Sequence, residues 1–464
     1  MPEDQLPKPP VYDNVLEAIG NTPLIRVHHI DTGPCELYLK LESQNPGGSI
    51  KDRIGKTMIE AAEVDGSLQP GGTIIEATAG NTGLGLALVA AQKGYRLVIV
   101  VPDKMAQEKI FHLKALGADV ILTRSDVGKG HPEYYQDMAE RLASEKGWFY
   151  VNQFGNPANP MAHELTTGPE IWAQMEGRMD AMVCGVGSAG TITGLSRFFA
   201  KEAPEVEMVL ADPEGSILAH YVETGEISKD VGSWLVEGIG EDFLPDIADF
   251  SRVKKAYSVS DEEAFKVARE LLSKEGILAG SSSGTLIAAA LKYCREQSEP
   301  KRVVTFVCDS GNKYLSKMYN DYWMLDQGFL KRPKTGDLRD LISRLHTDSA
   351  TVTLGPNDTL LTAYGRMKLY DVSQLPVLED SGQVCGILDE EDLLMRVFRD
   401  EARFKDPVHQ AMTSQLETIQ VDRPIEDLLP IFDQGRVAIV VEGTTFLGLI
   451  TRIDLLNHLR QKVR

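Results

Sequence analysis

The chain has 464 residues, 42% hydrophobic and 25% charged, with a formal net charge of −20. Such a length exceeds a single core and suggests about three domains, while the acidic balance argues against a nucleic-acid or anionic-membrane partner. Five scattered cysteines without a C-x-x-C pair, nine histidines without ligand spacing, and no apolar run near the ~18 residues of a membrane span point away from a disulfide framework, a metal or haem site, and a transmembrane helix.

In chain order, residues 1–12 form an extension whose start is acidic and proline-rich, unlike a secretory signal. The cysteines read as buried thiols of a reducing, cytoplasmic compartment. Glu36–Leu41 has the short, two-faced apolar pattern of a buried parallel strand. Asn45-Pro-Gly-Gly-Ser-Ile-Lys51-Asp-Arg53 then turns directly into an amphipathic helix. A lysine in the first helical turn meets the positive end of the macrodipole, at a cost of a few tenths to about 1 kcal/mol. The same field lowers the amine's pKa, which lysines that form imines require. A solvated surface lysine is the ordinary alternative, and the neighbouring motifs must decide.

Further strands are expected at Thr73–Glu76, Leu97–Val101, Asp119–Leu122, Ala181–Cys184, Glu207–Ala211 and Arg302–Val307. Helical patterns lie between them at 83–93, 107–116 and 261–274, the last opened by the capping box Ser260-x-x-Glu263. This alternation, up to about Asp309, implies an α/β fold of open sheets with helices on both sides.

Small-residue loops at Ala77–Gly83, Cys184–Thr191 and Ala279–Thr285 each follow a strand and precede a helix. Glycine permits close backbone approach, and free N–H groups at a helix start bind anions. Two such loops could hold a cofactor phosphate and a substrate carboxylate. Gly185-x-Gly187-x-x-Gly190, with Asp212 lying 22 residues further on, also fits a dinucleotide-binding fingerprint. A nicotinamide-dependent dehydrogenase would leave Lys51, the Asn81 loop and the serine loop without a role.

Gly48-Ser-Ile-Lys51-Asp-Arg53, Thr78-x-Gly80-Asn81-Thr82-Gly83, Gly187-x-x-Gly190-Thr191 and Glu237-Gly-Ile-Gly240 occur in that order. The set resembles the β-family of pyridoxal-phosphate enzymes, which have the tryptophan-synthase-β fold (fold type II, two open twisted sheets flanked by helices). Within that group the chain resembles the cystathionine β-synthases, from about Tyr12 onward. The resemblance implies that Lys51 forms the internal Schiff base with pyridoxal 5'-phosphate and carries the α-proton. It implies that Asn81 hydrogen-bonds the phenolic oxygen, and that Gly187, Ser188, Ala189, Gly190 and Thr191 cradle the phosphate. Ser282 would face the pyridine nitrogen. A hydroxyl there does not stabilise a protonated ring, which favours loss of a β-substituent over transamination. Thr78, Ala79, Gly80 and Thr82 would hold the substrate carboxylate, with Gln153 close by.

The implied reaction is the transsulfuration step of cysteine biosynthesis, condensing L-serine with L-homocysteine to L-cystathionine and water. Cysteine as donor would release hydrogen sulfide. The alternatives are a cysteine synthase using O-acetylserine and sulfide, and an adenosine sensor on a silent catalytic fold. An appended regulatory tail argues against the first; intact Lys51, Asn81 and Ser282 argue against the second. Many members carry serine at the position of Ala79, and animal members carry tyrosine at that of Glu241. Glu241 either pairs with the amino group of homocysteine or lies exposed on the surface, and both readings stay open. A haem-binding extension like that of the animal members is not expected ahead of the resemblance.

The catalytic part is expected over 13–330, as two subdomains, followed by a linker at 331–345. Gly386-Ile-Leu-Asp-Glu-Glu-Asp392-Leu-Leu then matches Gly448-Leu-Ile-Thr-Arg-Ile-Asp454-Leu-Leu, 62 residues later, and Pro376-Val-Leu378 falls over Ala438-Ile-Val440 at the same offset. Units of this size, at 346–400 and 405–464, must pack together to bury their faces. They resemble paired CBS domains (a Bateman module), which implies either a ligand-free dimerisation scaffold or an adenosine-ligand site. Thr451 and Asp454 keep the Thr-x-x-Asp pattern that takes a ribose. Asp389 stands in the hydroxyl's place in the first repeat and would repel a ligand phosphate. At most one site is therefore expected, for a ligand without phosphates such as S-adenosylmethionine. Family analogy adds a homodimer or homotetramer.

Overall fold

A computed structural model describes residues 11–461 apart from 79, 104, 106 and 349. The chain divides into two compact units between Tyr319 and Asn320. In the first, the strands are β1 (Leu24–Arg26), β2 (Glu36–Leu41), β3 (Thr73–Ala77), β4 (Arg96–Pro102), β5 (Asp119–Thr123), β6 (Phe149–Tyr150), β7 (Ala181–Gly185), β8 (Glu207–Pro213), β9 (Val253–Val259) and β10 (Arg302–Val307). They form two sheets, in the orders β1-β2-β10-β7-β8-β9 and β5-β4-β3-β6. Among the pairings of these described strands, β1–β2 is antiparallel and the rest are parallel. The adjacent residues Leu39–Lys40, Ile74–Ile75, Met182–Val183, Val209–Leu210 and Val303–Val304 are inaccessible to solvent, so both faces of these strands are covered. That explains the continuous apolar runs. The strands expected from the sequence are all present. β1, β6 and β9 were not expected: β6 is two residues long, and β9 is an edge strand whose lysines break the apolar run.

Several helices start earlier than composition suggests. Asn81–Lys93, Gly190–Glu202 and Ser281–Arg295 begin inside the small-residue loops, because tertiary packing overrides the weak helix propensity of glycine and serine. In the third loop the glycines serve packing, not ligand approach. A Cβ on Gly284 would lie 2.1 Å from the Ala264 carbonyl oxygen, and one on Gly280 would lie 1.8 Å from Asp309 Oδ1. Ser260 caps the helix Asp261–Glu275 by accepting the Glu263 N–H at 3.3 Å, as its sequence predicts. The parallel strands β3, β7, β8 and β10 deliver the loops at 78–82, 186–190, 214–217 and 308–310 from their carboxyl ends, where open α/β sheets bind ligands.

In the second unit, β11 (Gln374–Leu378) pairs antiparallel with β12 (Val384–Asp389), and β14 (Ala438–Glu442) pairs with β13 (Thr418–Gln420) and β15 (Thr445–Ile450). Val377 faces Gly386 while Val440 faces Gly448. The glycine-led strands thus keep the 62-residue offset, but their partners are offset by 63 (377 to 440), one more than sequence matching gives. Each repeat has its own core, around Leu360 and Leu388 in the first and Leu428 and Val440 in the second. Leu338, Leu341 and Ile342, within the stretch read as linker, are buried in the second core, and the Leu338 N–H donates to the Val421 carbonyl. Their apolar side chains make this stretch part of the second repeat's core. Among the described residues no helix is long and apolar enough to cross a membrane.

Candidate active site

Lys51 is the first residue of the helix Lys51–Asp65, as the sequence predicts. The helices Lys51–Asp65 and Asn81–Lys93 cross in backbone contact, so the starts of both lie side by side: a Cβ on Gly85 would sit 2.6 Å from the Lys51 carbonyl oxygen. Burial lowers the Lys51 amine below the ordinary lysine value, against the opposing pull of Cys308, Glu241 and Asp309. The amine therefore faces a thiol and two carboxyl groups, Cys308 and Asp309 from the loop after β10 and Glu241 from another.

The loop after β3 presents Thr78, Gly80 and Thr82; Ala79 lies outside the described residues. Gly80 N–H donates to Thr78 Oγ1 at 3.2 Å, and Thr82 Oγ1 donates to Gln153 Oε1 at 2.7 Å. Gln153 Nε2 lies 3.4 Å from Glu76 Oε1. Burial raises the Glu76 carboxyl to about 8, against the downward pull of the nearby amides of Gln153, Asn152 and Ala77.

After β7 the chain passes through Ala189 in the left-handed region (φ 66°) into the helix Gly190–Glu202. The first turn of any α-helix leaves its N–H groups without intrahelical acceptors, and here they belong to Gly190, Thr191 and Ile192. A Cβ on Gly187 would approach the Gly238 carbonyl oxygen to 2.7 Å, and one on Gly190 would overlap Asn159 Oδ1 at 1.8 Å. Asn159 Nδ2 in turn donates to Ser188 Oγ at 2.9 Å and to the Gln153 carbonyl at 2.7 Å, joining this turn to the Thr82 loop. Thr191 Oγ1 is 3.2 Å from Nε2 of His163, an imidazole that burial keeps neutral.

Ser282, second residue of the helix Ser281–Arg295, is buried, and its hydroxyl pulls down the Cys308 thiol that burial raises. Asn81 heads its helix between Asp309 and Lys313. Glu241 turns its carboxyl inward. Burial, then Asp242, raises it well above the usual carboxylate range, while Lys51 pulls it down. Asp212, which a dinucleotide site would offer to a ribose, is fully buried and instead accepts the Ala219 N–H at 2.8 Å. That removes the dehydrogenase reading.

Residues 15–309 match the family described as pyridoxal-phosphate dependent enzyme, and 339–399 and 408–461 match the CBS domain. The chain is 38% identical to the cystathionine beta-synthase of Dictyostelium discoideum, over 97% of its own length and 92% of that protein's. The chain belongs to the cystathionine beta-synthase family of pyridoxal-phosphate-dependent enzymes. The cystathionine beta-synthase of Mus musculus is likewise 38% identical, over 97% of this chain and 86% of its own. Among solved structures, a hydrogen sulfide-producing enzyme from Fusobacterium nucleatum is 38% identical with a TM-score of 0.61, covering 66% of this chain and 100% of its own. O-ureido-L-serine synthase is 34% identical with a TM-score of 0.63, covering 70% and 98%.

The donor set fits the family's cofactor. A lysine with a lowered amine pKa, a neutral hydroxyl at Ser282, and a helix-start turn whose glycines a Cβ would close are what an aldehyde, a pyridine and a phosphate need. Sequence reasoning missed Glu76, Asn159, Asp309 and Lys313. Asn156-Pro-Ala-Asn-Pro160 and the turn Asp309–Lys313 carry no sign of their partners, which lie far away in the sequence. In the second unit, Asp454 Oδ2 accepts from Thr451 Oγ1 at 2.5 Å, and its Oδ1 accepts from Ser343. Asp389 caps its own helix, accepting the Asp392 N–H at 2.7 Å.

Proposed function

We propose that this chain condenses L-serine with L-homocysteine to give L-cystathionine and water, with pyridoxal 5'-phosphate as cofactor. The observation that carries this is the half-buried, amine-depressed Lys51, on a helix packed against the one that Asn81 begins, in a chain whose relatives bear that activity in their name. When bound, the cofactor supplies an electron sink for the carbanion at the amino acid's α-carbon. Lys51 Nζ would hold the cofactor's aldehyde carbon and, once the substrate's amino group has displaced it, the freed amine would take up the α-proton, for which a lowered pKa is suited. The amides of Gly187 to Thr191 hold the phosphate, and Ser282 meets the pyridine nitrogen without giving it a full proton. Thr78, Gly80 and Thr82, with Gln153 behind them and Ala79 between, hold the serine carboxylate. Glu241 receives the ammonium of homocysteine, whose positive charge would draw down the pKa that burial and Asp242 raise.

Cysteine in place of serine releases hydrogen sulfide by the same steps, a reading favoured by the hydrogen sulfide-producing neighbour. In the tail, Thr451 and Asp454 take the ribose hydroxyls of a phosphate-free adenosine ligand such as S-adenosylmethionine, and the protein works in the cytoplasm as a homodimer or homotetramer. Assays of serine plus homocysteine against O-acetylserine plus sulfide test the reaction. Cystathionine must form in the first and exceed the cysteine formed in the second; the reverse ranking makes the chain a cysteine synthase. Borohydride reduction followed by peptide mapping must place a pyridoxyl group on Lys51.

A further inference from the structure

Asn81 sits in a hydrogen-bonded relay whose direction is fixed by chemistry. Its Nδ2 donates to Asp309 Oδ2 at 2.8 Å, and its Oδ1 accepts from Lys313 Nζ at 2.7 Å. Burial raises the Asp309 carboxyl and lowers the Lys313 amine, each against the pull of the other; as a charged pair, the carboxylate only accepts and the ammonium only donates, which fixes the orientation of the amide. One Nδ2–H is committed to Asp309 and the other is left for a ligand.

Both partners are built in. Asp309 follows β10, is fully buried, and also accepts from the Tyr314 hydroxyl at 2.8 Å. Its Oδ1 has no hydrogen-bond partner among the described residues and fills the space left by the missing side chain of Gly280. Lys313 ends four residues later on the short turn Gly311–Tyr314, under Gly48 of the Lys51 loop. The charged groups facing its ammonium are Asp309, Asp52 and Lys109.

We infer that Lys313 and Asp309 are positioning residues for the cofactor's phenolic oxygen: together they lock the Asn81 amide, and the Lys313 ammonium favours the ionised phenolate. The inference rests on the assignment of Asn81 to that oxygen. A cation hydrogen-bonded to the amide oxygen polarises the amide and strengthens its N–H as a donor. Without Lys313, the carboxyl groups of Asp309 and Asp52 would dominate the local field and oppose a phenolate.

The test is the absorption spectrum and dissociation constant of bound pyridoxal phosphate in Lys313→Met, with thermal melting of the cofactor-free protein as a fold control. The expected result is about tenfold weaker binding, with intensity moving from the longer-wavelength, ionised-phenol band to the shorter-wavelength, neutral-phenol band. Lys313→Arg should recover the wild-type spectrum. Wild-type affinity and spectrum in Lys313→Met, with both altered in Asn81→Ala, overturn this inference and leave the Asn81 assignment standing. An unaltered Asn81→Ala protein overturns both. Should Lys313→Met not fold, Lys313→Gln, polar but neutral, decides: the shift in band intensity supports the proposal, and a wild-type spectrum overturns it.

Discussion

Arg53 grips Glu42 through two hydrogen bonds, Nε to Oε2 at 2.7 Å and Nη2 to Oε1 at 2.8 Å, with neither side chain more than 2% exposed. Arg53 also holds Glu170 at 2.7 and 2.8 Å, and Lys40 reaches the same Glu170 at 3.0 Å. Burial works against both carboxylates, yet Arg53 outweighs it. Glu42 is held below its ordinary range and Glu170 at about 2. The network fastens β2 to the helix that begins at Lys51, two residues before Arg53.

Removing one partner of a buried ion pair strands the others, at a cost of about 3–5 kcal/mol. Arg53→Met is therefore expected to lose about that much stability in urea unfolding and to load pyridoxal phosphate poorly, because the start of the helix is no longer held. A melt within about 1 kcal/mol of the wild type would show that the network adds little.

The parallel strands were legible in the sequence because burial on both faces leaves an apolar run that composition alone reveals, as in Arg302–Val307. Lys51 was legible for a different reason, since a cation in a first helical turn conflicts with local preference. Asn159 and Asp309 were not legible. Their significance comes from atoms brought together by the β7 and β10 crossovers, and nothing near them in sequence announces Ser188 or Asn81. The positions of the helix starts were misread because Gly284 and Gly190 look like loop residues until the carbonyl of Ala264 and the amide of Asn159 are placed against them.

Glu76 gives a pH prediction. Its carboxyl is raised from an ordinary 4.5 to about 8, mainly by burial, so the folded state binds a proton that the unfolded state releases. Its stability contribution is complete below 4.5 and is lost as pH rises through about 8. Glutamine resembles the protonated acid and does not titrate. Melting temperatures of wild type and Glu76→Gln, recorded from below the lower value to above the upper, should diverge upward in favour of the variant as pH rises. Parallel curves would mean that Glu76 ionises alike in both states.

Gly85 bears on the crossing that places Lys51 beside Asn81. Its missing Cβ would meet the Lys51 carbonyl at 2.6 Å, and a Cβ on Gly55 would meet the Gly85 carbonyl carbon at 2.8 Å. These obstacles are backbone, which cannot swing aside as a side chain can. Gly85→Ala should cost about 1–3 kcal/mol or more and lower cofactor occupancy, both read from one batch of protein by denaturation and by absorbance. A fully loaded variant of normal stability would show that the helices part without consequence.

Gly190 and Asn159 offer a sharper case, because here the obstacle is a side chain. A Cβ on Gly190 would overlap Asn159 Oδ1, an atom that accepts no hydrogen bond among the described residues, while Nδ2 of the same amide ties Ser188 to Gln153. Gly190→Ala should therefore weaken pyridoxal phosphate binding about 10- to 100-fold by pushing the amide and its two partners out of place. Asn159→Gly alone should weaken it less, losing the tie but opening space. Because the two side chains compete for the same volume, their effects cannot be independent. The double variant should bind the cofactor better than Gly190→Ala does, measured by equilibrium dialysis of the apoprotein. Simple addition of the two losses would mean that Gly190 is required for its backbone conformation and not for the room it leaves to Asn159.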